Sequence, residues 1–513
     1  MVAAGFVMAL AGAVATGVSW DEPAHVIRLD NYLESGQYSV PWKDDLRQET
    51  EDRYTYGPVA MLILHGVEVA ASGSTEVQIT SDAYAARHVG VALLGLIGMA
   101  AVGWLCRLLI GTWRWGVLGM AILMAMPAWT GSLMFNVKDV PVATGLTIVT
   151  LALVLSAEPG SRRRWVADAA LLWAGVVLAL GTRPGVWPLI MAQVCLWALV
   201  TGRLVGWQRL AAVSAALSTA YLFLVAIYPF GFTGLWWWKS VMSATSFRVT
   251  DTQWWYVPVH ALTETPVMLL VCWVTGVGLA VWYAVRFRRM DPAGTASISV
   301  VATQALLLPL LAIAAESQFY NGLRQVMFVM PASAVLTTVG IAWLMRRLAI
   351  LGSRVPVLAT VVSALVLIPV TVEQAALFPF QYSWSNRIAS VLNVPPDPDY
   401  WRVSFRQLID ESPTDGRVYC SPRTPEGVAR PTGRAFSSGD CRTLVTGPLM
   451  PYWPTPLVDD LPEEQFYGFV QGSQSIPSNC VELGSVSRSW LGRTFTYSHV
   501  AVCTDVGPST SVG

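Results

Sequence analysis

Two adjacent carboxylates, Asp21 and Glu22, directly follow an apolar run in the segment Ser19-Trp20-Asp21-Glu22-Pro23-Ala24-His25. A carboxylate beside an apolar wall has its pKa raised by desolvation, and it works as a base when a cationic or polar neighbour keeps it ionised. That is the chemistry needed to take the proton of an attacking hydroxyl. The same residues suit a helix start, with Asp21 as N-cap and Glu22 and Pro23 in the first turn. Spacing alone leaves both open. A second segment, Phe135-Asn136-Val137-Lys138-Asp139-Val140-Pro141, joins a cation and a carboxylate in one tight turn. Lys138 suits a phosphate or acidic headgroup, and Asp139 suits orienting it or binding a metal. The plainer reading is a solvated ion pair, worth up to about 1 kcal/mol. Arg183 in Gly181-Thr182-Arg183-Pro184-Gly185 and Arg324 in Asn321-Gly322-Leu323-Arg324-Gln325 each add a guanidinium. A guanidinium grips phosphate oxygens in a fork and stays charged, although snorkelling to lipid headgroups is the commoner fate of one such arginine. The argument rests on convergence, because all four segments fall at ends of apolar runs.

The elements that must position these groups are membrane spans. Of 513 residues, 54% are hydrophobic and 13% charged, about half the charged share of a soluble protein, and the mean hydropathy is +0.49. Apolar runs long enough for a hydrocarbon core about 30 Å thick fall at about 2–19, 89–106, 116–134, 140–157, 168–182, 186–201, 210–228, 262–285, 296–315, 326–345 and 355–373. Every second connection is basic: Arg107 with Arg114, Arg162 to Arg164, Arg203 with Arg209, Arg286 with Arg288 and Arg289, and Arg346 with Arg347 and Arg354. By the positive-inside rule these loops are cytoplasmic, which puts the N-terminus inside and the C-terminal tail outside. Asp21, Lys138, Arg183 and Arg324 then share the outer face. The outer stretch from Trp236-Trp237-Trp238-Lys239 to Trp254-Trp255-Tyr256 suits an interfacial helix, or faces for a sugar ring or lipid tail. The tail of about 140 residues has ordinary soluble composition and short alternating segments that suit a small α/β or β-rich domain. Its Cys420, Cys441, Cys480 and Cys503 suit two disulfides in an oxidising compartment, with three pairings open.

Several functions lack support. Equal numbers of basic and acidic residues, 33 each, argue against a nucleic-acid binder. No Gly-Lys dipeptide occurs, so there is no Walker motif, and there is no His-Glu-x-x-His. Asp397-Pro398-Asp399, beside Pro395 and Pro396, reads as a linker turn rather than a metal-binding string.

Over about residues 1–390 the chain resembles the GT-C glycosyltransferases, membrane enzymes that use polyprenyl-phosphate sugars and include protein O-mannosyltransferases and the aminoarabinose transferase of lipid A. The resemblance is carried by Asp21-Glu22 after the first span, the long first outer loop and the Lys138-Asp139 turn. Tyr320-Asn321-Gly322-Leu323-Arg324-Gln325 and Phe378-Pro379-Phe380-Gln381-Tyr382 add to it. A Lys-Pro-Pro string of some members is replaced here by Tyr54-Thr55-Tyr56-Gly57-Pro58. The resemblance implies an all-α polytopic fold of about eleven transmembrane helices over 1–373, with amphipathic helices in the outer loop 20–88. An extracytoplasmic α/β or β-rich domain over 374–513 completes the expected organisation. It further implies inverting transfer of a sugar from a polyprenyl-phosphate donor to a hydroxyl of a glycan, lipid or protein at the outer face of the cell membrane. Asp21 is then the base, with Glu22 its neighbour and substitute and Asp139 a second acidic position. Lys138, Arg183 and Arg324 hold the donor phosphate, and His25, Tyr56, Trp255 and Gln325 are candidate substrate contacts. No cofactor is required, a divalent metal is compatible, and no metal ligand is assigned. A transporter or flippase for a lipid-linked or anionic substrate would share the polar cavity and dispense with the base.

Overall fold

The structure, a computed structural model, describes residues 2–40, 54–158, 162–245, 254–314, 317, 319, 322–349, 355–394, 399–411, 419–420, 465–472, 476–490 and 492–504. A helix occupies each of the eleven apolar runs. Among the described residues, eight helical stretches are long and apolar enough to cross a membrane, while Val2–Ala15 and Trp113–Met124 are shorter. Large apolar side chains such as Leu199, Trp207, Leu222 and Val285 point outward, each more than 60% exposed. A water-soluble surface rarely tolerates such a belt, and together with the span lengths it makes this a multi-pass membrane protein.

One span differs from expectation. The run at 116–134 is broken: helix Trp113–Met124 ends at Ala125, and a separate helix Pro127–Ser132 follows. Pro127 supplies no N–H and drives Met126 into extended backbone (φ −90°, ψ 106°). The runs at 186–201 and 210–228 form two helical stretches within Trp187–Ile227, separated by a kink at Gly206 with φ +70°, a conformation open to glycine. The first loop contains helix Glu22–Ser35 and the apolar helix Val59–Ser72.

Several long helices connect an arginine-rich loop with the opposite end of the bundle. Helix Arg162–Thr182 runs from the Arg162–Arg164 cluster to Arg183, and helix Met330–Ala349 runs from just after Arg324 to Arg346 and Arg347. Helix Asp139–Ala157 begins at Asp139 and ends beside Glu158, the partner of Arg164. Alternation of chain direction therefore collects the segments around Asp21, Asp139, Arg183 and Arg324 at one end of the bundle.

Among the described residues the C-terminal sheet has four strands: β1 (Tyr419–Cys420), β2 (Gln465–Gln471), β3 (Cys480–Trp490) and β4 (Arg493–Thr504), in the order β1-β2-β4-β3. β1 pairs parallel to β2, and the other two pairs are antiparallel. Cys480 and Cys503 lie opposite each other on β3 and β4 and form a disulfide. Cys441 falls outside the described residues, and so does any bridge that uses it. The inward face of the sheet does not form a core of its own. Tyr467, Phe469, Phe495 and Tyr497 pack in one cluster with Phe380, Trp401 and, from the turn before helix Asp139–Ala157, Met134 and Phe135. The sheet thus buttresses the turn that carries Lys138 and Asp139.

Candidate functional site

Asp21 occupies the N-cap position of helix Glu22–Ser35, yet its side chain makes no capping hydrogen bond. It turns instead to two cations: Lys138 Nζ donates to Oδ2 at 2.6 Å, and Arg324 Nη2 donates to the same oxygen at 2.5 Å. The neighbouring Glu22 turns the other way, its Oε2 accepting from the Ser19 N–H at 2.5 Å, ahead of the helix. The capping alternative for Asp21 therefore fails, and its carboxylate is left to act in the cluster. The chain around it is strapped to the segment that leads into the sheet. The Trp20 N–H donates to the Trp401 carbonyl at 3.0 Å, the Gly17 N–H donates to the Val403 carbonyl at 3.1 Å, and the Arg402 guanidinium lies 4.0 Å from the Trp20 ring centre.

Asp139 anchors the second half of the cluster. Asn136 Oδ1 accepts from the Asp139 N–H at 2.9 Å, and its Nδ2 donates to Asp139 Oδ2 at 3.1 Å. An Asx turn of this kind orders the start of a helix. Arg183 Nη1 reaches Asp139 Oδ1 at 3.1 Å, and Arg324 Nε lies 3.5 Å from Asp139 Oδ2. Arg324 therefore bridges both carboxylates, and its guanidinium stacks 3.8 Å from the Trp401 ring centre, a geometry that favours a delocalised cation over an ammonium. Tyr56 lines the same place: Lys138 Nζ is 5.3 Å from its ring centre, and the His25 ring meets it edge-on at 4.9 Å.

Three cations face two carboxylates, so the cluster carries net positive charge, which suits an anionic ligand. Lys138, Asp139 and Arg324 are all buried. Burial opposes ionisation of Asp21, but Lys138 and Arg324 outweigh it and hold the carboxyl far below the ordinary carboxylate range. Burial and Arg324 work against the Lys138 ammonium, and Asp21, Tyr56 and Asp139 overcome them, leaving its pKa raised. Burial pushes His25 well below its ordinary value, with Arg28 and Lys138 adding to the effect, so this imidazole is neutral at pH 7. Its Nδ1 lies 3.0 Å from the Tyr38 hydroxyl.

One cavity adjoins the cluster, and a second adjoins the first. A polar one of about 220 Å³ has Arg324 in its wall with Tyr256, His260, Glu264, Trp384 and Trp401. An apolar one of about 360 Å³ lies between helices Tyr256–Glu264, Val267–Phe287 and Pro292–Ala314, among Val257, Leu269, Trp273, Leu306 and Ile313. Ala128, Glu264 and Met330 line both, so the two are neighbours.

Of the residues expected at the site, Asp21, Lys138, Asp139, Arg183 and Arg324 come together, with Tyr56 and His25 beside them. Glu22 does not join them: it is buried in a separate pair with His88, whose Nε2 lies 2.6 Å from Oε1. Adjacent residues at a helix start point in different directions, which removes Glu22 as a substitute base. Trp255 is exposed and Gln325 half-buried, and the ion pairs described here involve neither. Sequence reasoning missed Asn136 as the organiser of its turn, although Asn three residues before Asp is a visible Asx-turn signal. It also missed Trp401 and the pair His260 and Glu264, whereas Tyr256 fell within the aromatic stretch noted as a face for a sugar ring. Asp399 is a fully buried acceptor for Tyr382 and for the Val403 and Ser404 N–H groups, consistent with turn chemistry.

The fold is that of a multi-pass membrane protein. Two solved structures share that fold. They are ArnT from Cupriavidus metallidurans in the apo state (TM-score 0.51, 15% identity, covering 98% of this chain and 96% of that one) and the same protein bound to undecaprenyl phosphate (TM-score 0.50, 15% identity, 98% and 97%). At that identity the likeness speaks for the fold alone. No family model matches the chain, and no curated protein matches it.

Proposed function

We propose that the protein is an inverting glycosyltransferase that moves a sugar from a polyprenyl-phosphate donor to an acceptor hydroxyl of a glycan, lipid or protein at the extracytoplasmic face of the cell membrane. The observation that carries the reading is the meeting of Asp21, Lys138, Asp139, Arg183 and Arg324 from four distant segments. The cluster adjoins a polar cavity, and that cavity adjoins an apolar one. A lipid-linked phosphate needs that combination: cations for the phosphate, an apolar channel for the chain, and a polar chamber for the sugar. The undecaprenyl phosphate held by the ArnT structure supports the same ligand class here.

The geometry suggests how donor binding and catalysis are linked. With Lys138 and Arg324 both on Asp21, the carboxylate is ionised and weakly basic. A phosphate entering the cluster takes up those cations with its own oxygens, which returns basicity to Asp21 when an acceptor has something to attack. Asp21 then accepts the proton of the acceptor hydroxyl as its oxygen bonds to the anomeric carbon and the phosphate leaves on the opposite side, so configuration inverts. Arg183, Arg324 and Lys138 stabilise charge that develops on the leaving phosphate, where preorganised cations in a poorly solvated site are most effective. Among the described residues no three His, Cys, Asp or Glu side chains could share a metal ion, and no step here is routed through one.

The test uses purified protein in detergent with polyprenyl-phosphate sugars and acceptor glycan, scoring release of polyprenyl phosphate. Release that depends on Asp21 supports transfer. Binding without release, in a preparation that has no compartments, would favour the flippase class instead.

A further inference from the structure

The polar cavity has a chemical signature of its own. His260 Nδ1 and Glu264 Oε1 lie 2.7 Å apart, and Glu264 Oε2 accepts from the Leu323 N–H at 2.9 Å. Both carboxylate oxygens are thereby engaged. With Nδ1 held by the carboxylate, Nε2 is left as the other polar atom of the ring. The Tyr256 hydroxyl accepts from the Gly322 N–H at 2.9 Å, which leaves its own hydrogen to donate. Trp384 and Trp401 supply aromatic faces, and Arg324 links the chamber to the anion cluster. The volume of about 220 Å³ equals roughly seven water molecules at about 30 Å³ each, the scale of one sugar ring.

Resting on the glycosyltransferase reading, we propose that this chamber holds the single sugar of the donor and selects a neutral one, with His260 Nε2 and the Tyr256 hydroxyl bonding its hydroxyl groups. A neutral sugar offers hydroxyls that both donate and accept, so they can meet His260 Nε2 and the Tyr256 hydroxyl in either sense. A cationic amino sugar meets the opposite. Among the described residues Glu264 is the one acid in the lining, its two oxygens are taken by His260 and Leu323, and Arg324 repels a second positive charge.

The experiment measures binding of three ligands to the full-length protein in detergent: bare polyprenyl phosphate, its neutral pentose or hexose ester, and its amino-sugar ester. The neutral ester is expected to bind about tenfold tighter than the bare lipid, the scale of two net hydrogen bonds, and the amino-sugar ester no tighter. His260→Phe, which keeps the ring packed against Tyr256, is expected to erase the neutral-sugar advantage and to leave the bare lipid unaffected. Tyr256→Phe, a second variant in case the first fails to fold, is expected to reduce the advantage a few-fold. Equal binding of bare and neutral-sugar lipid, an advantage that survives in both variants, or a larger advantage for the amino sugar would overturn the proposal. Turnover is scored separately. Sugar-selective binding without transfer leaves the chamber's role standing and removes the transferase reading. Transfer without dependence on His260 or Tyr256 does the reverse.

Discussion

The protein pairs opposite charges at both ends of its helix bundle, and the two ends differ in water rather than in distance. At one end Lys138 and Asp21 lie 2.6 Å apart with side-chain exposures of 9% and 29%, and Arg324 at 6% joins them. At the other, Arg164 and Glu158 lie 2.9 Å apart with exposures of 39% and 42%. A solvated pair is screened and contributes little. A desolvated cluster is strongly coupled internally, and the cost of drying its charges offsets much of the attraction. Ion pairs of the first kind follow from solubility and topology. A buried cluster of five charges is a poor way to gain stability, which argues that it is kept for what it binds.

The largest effect that would sharpen this contrast is on turnover. Asp21→Asn is expected to lower the rate by about 10² to 10⁴, the range for loss of a positioned base. Binding of bare polyprenyl phosphate should hold or tighten, because a negative charge beside the phosphate has gone. Normal rates in this variant would remove Asp21 as the base and leave the cations with a binding role alone.

Stability comes next. Arg324→Gln leaves Asp21 and Asp139 without their shared partner, and breaking one side of a buried pair costs roughly 3–5 kcal/mol. Thermal unfolding in detergent should show it, and adding Asp139→Asn should recover part, because the stranded charge is then neutral. If the double variant is as unstable as the sum of both singles, the two residues do not act as a pair.

The residues of the cluster were legible in the sequence for a simple reason: each stands where an apolar run stops, and a charge there needs a partner or water. Their meeting was less so. Asp21 is separated from Lys138 by 117 positions and from Arg324 by 303, and only the alternation of spans, read through the basic loops, places them at one end. Other parts had no such signal. Trp401 belongs to a stretch of soluble composition, and nothing in that composition says that its ring lies under Arg324. Asp21 and Glu22 look equivalent as a pair of letters, yet 100° of helix rotation separates a cluster ligand from a partner of His88. The density of aromatic residues around Trp255 indicates an interface without indicating which ring faces a ligand. The break at Pro127 was visible in the letter itself, and hydropathy averaged over it.

A third, intermediate effect concerns pH. The buried His25 imidazole is held well below its ordinary value of 6.5, whereas in the unfolded chain it takes up a proton near that value. Unfolding therefore binds a proton below pH 6.5, so stability is constant above it and falls as pH drops toward the folded pKa. The slope from this one group is about 1.4 kcal/mol per pH unit within that window. His25→Gln should flatten the dependence between pH 6.5 and 5.5. An unchanged slope would mean that other groups carry it and that the dry end of the bundle is wetter than its burial indicates.

The smallest effect is the control on which the comparison depends. Glu158→Gln removes the acid from the exposed pair with Arg164, and helix Asp139–Ala157 keeps its other tie at that end, where Arg209 Nη1 donates to the Ser156 carbonyl at 2.9 Å. Water and headgroups can take over the solvation of Arg164, so the expected loss is at most about 1 kcal/mol, and raising salt should shrink it further. Turnover should not change, because Glu158 lies at the end of its helix remote from Asp139. A loss as large as that of Arg324→Gln would mean that desolvation does not separate the two ends, and burial could then no longer be used to tell the functional charges from the rest.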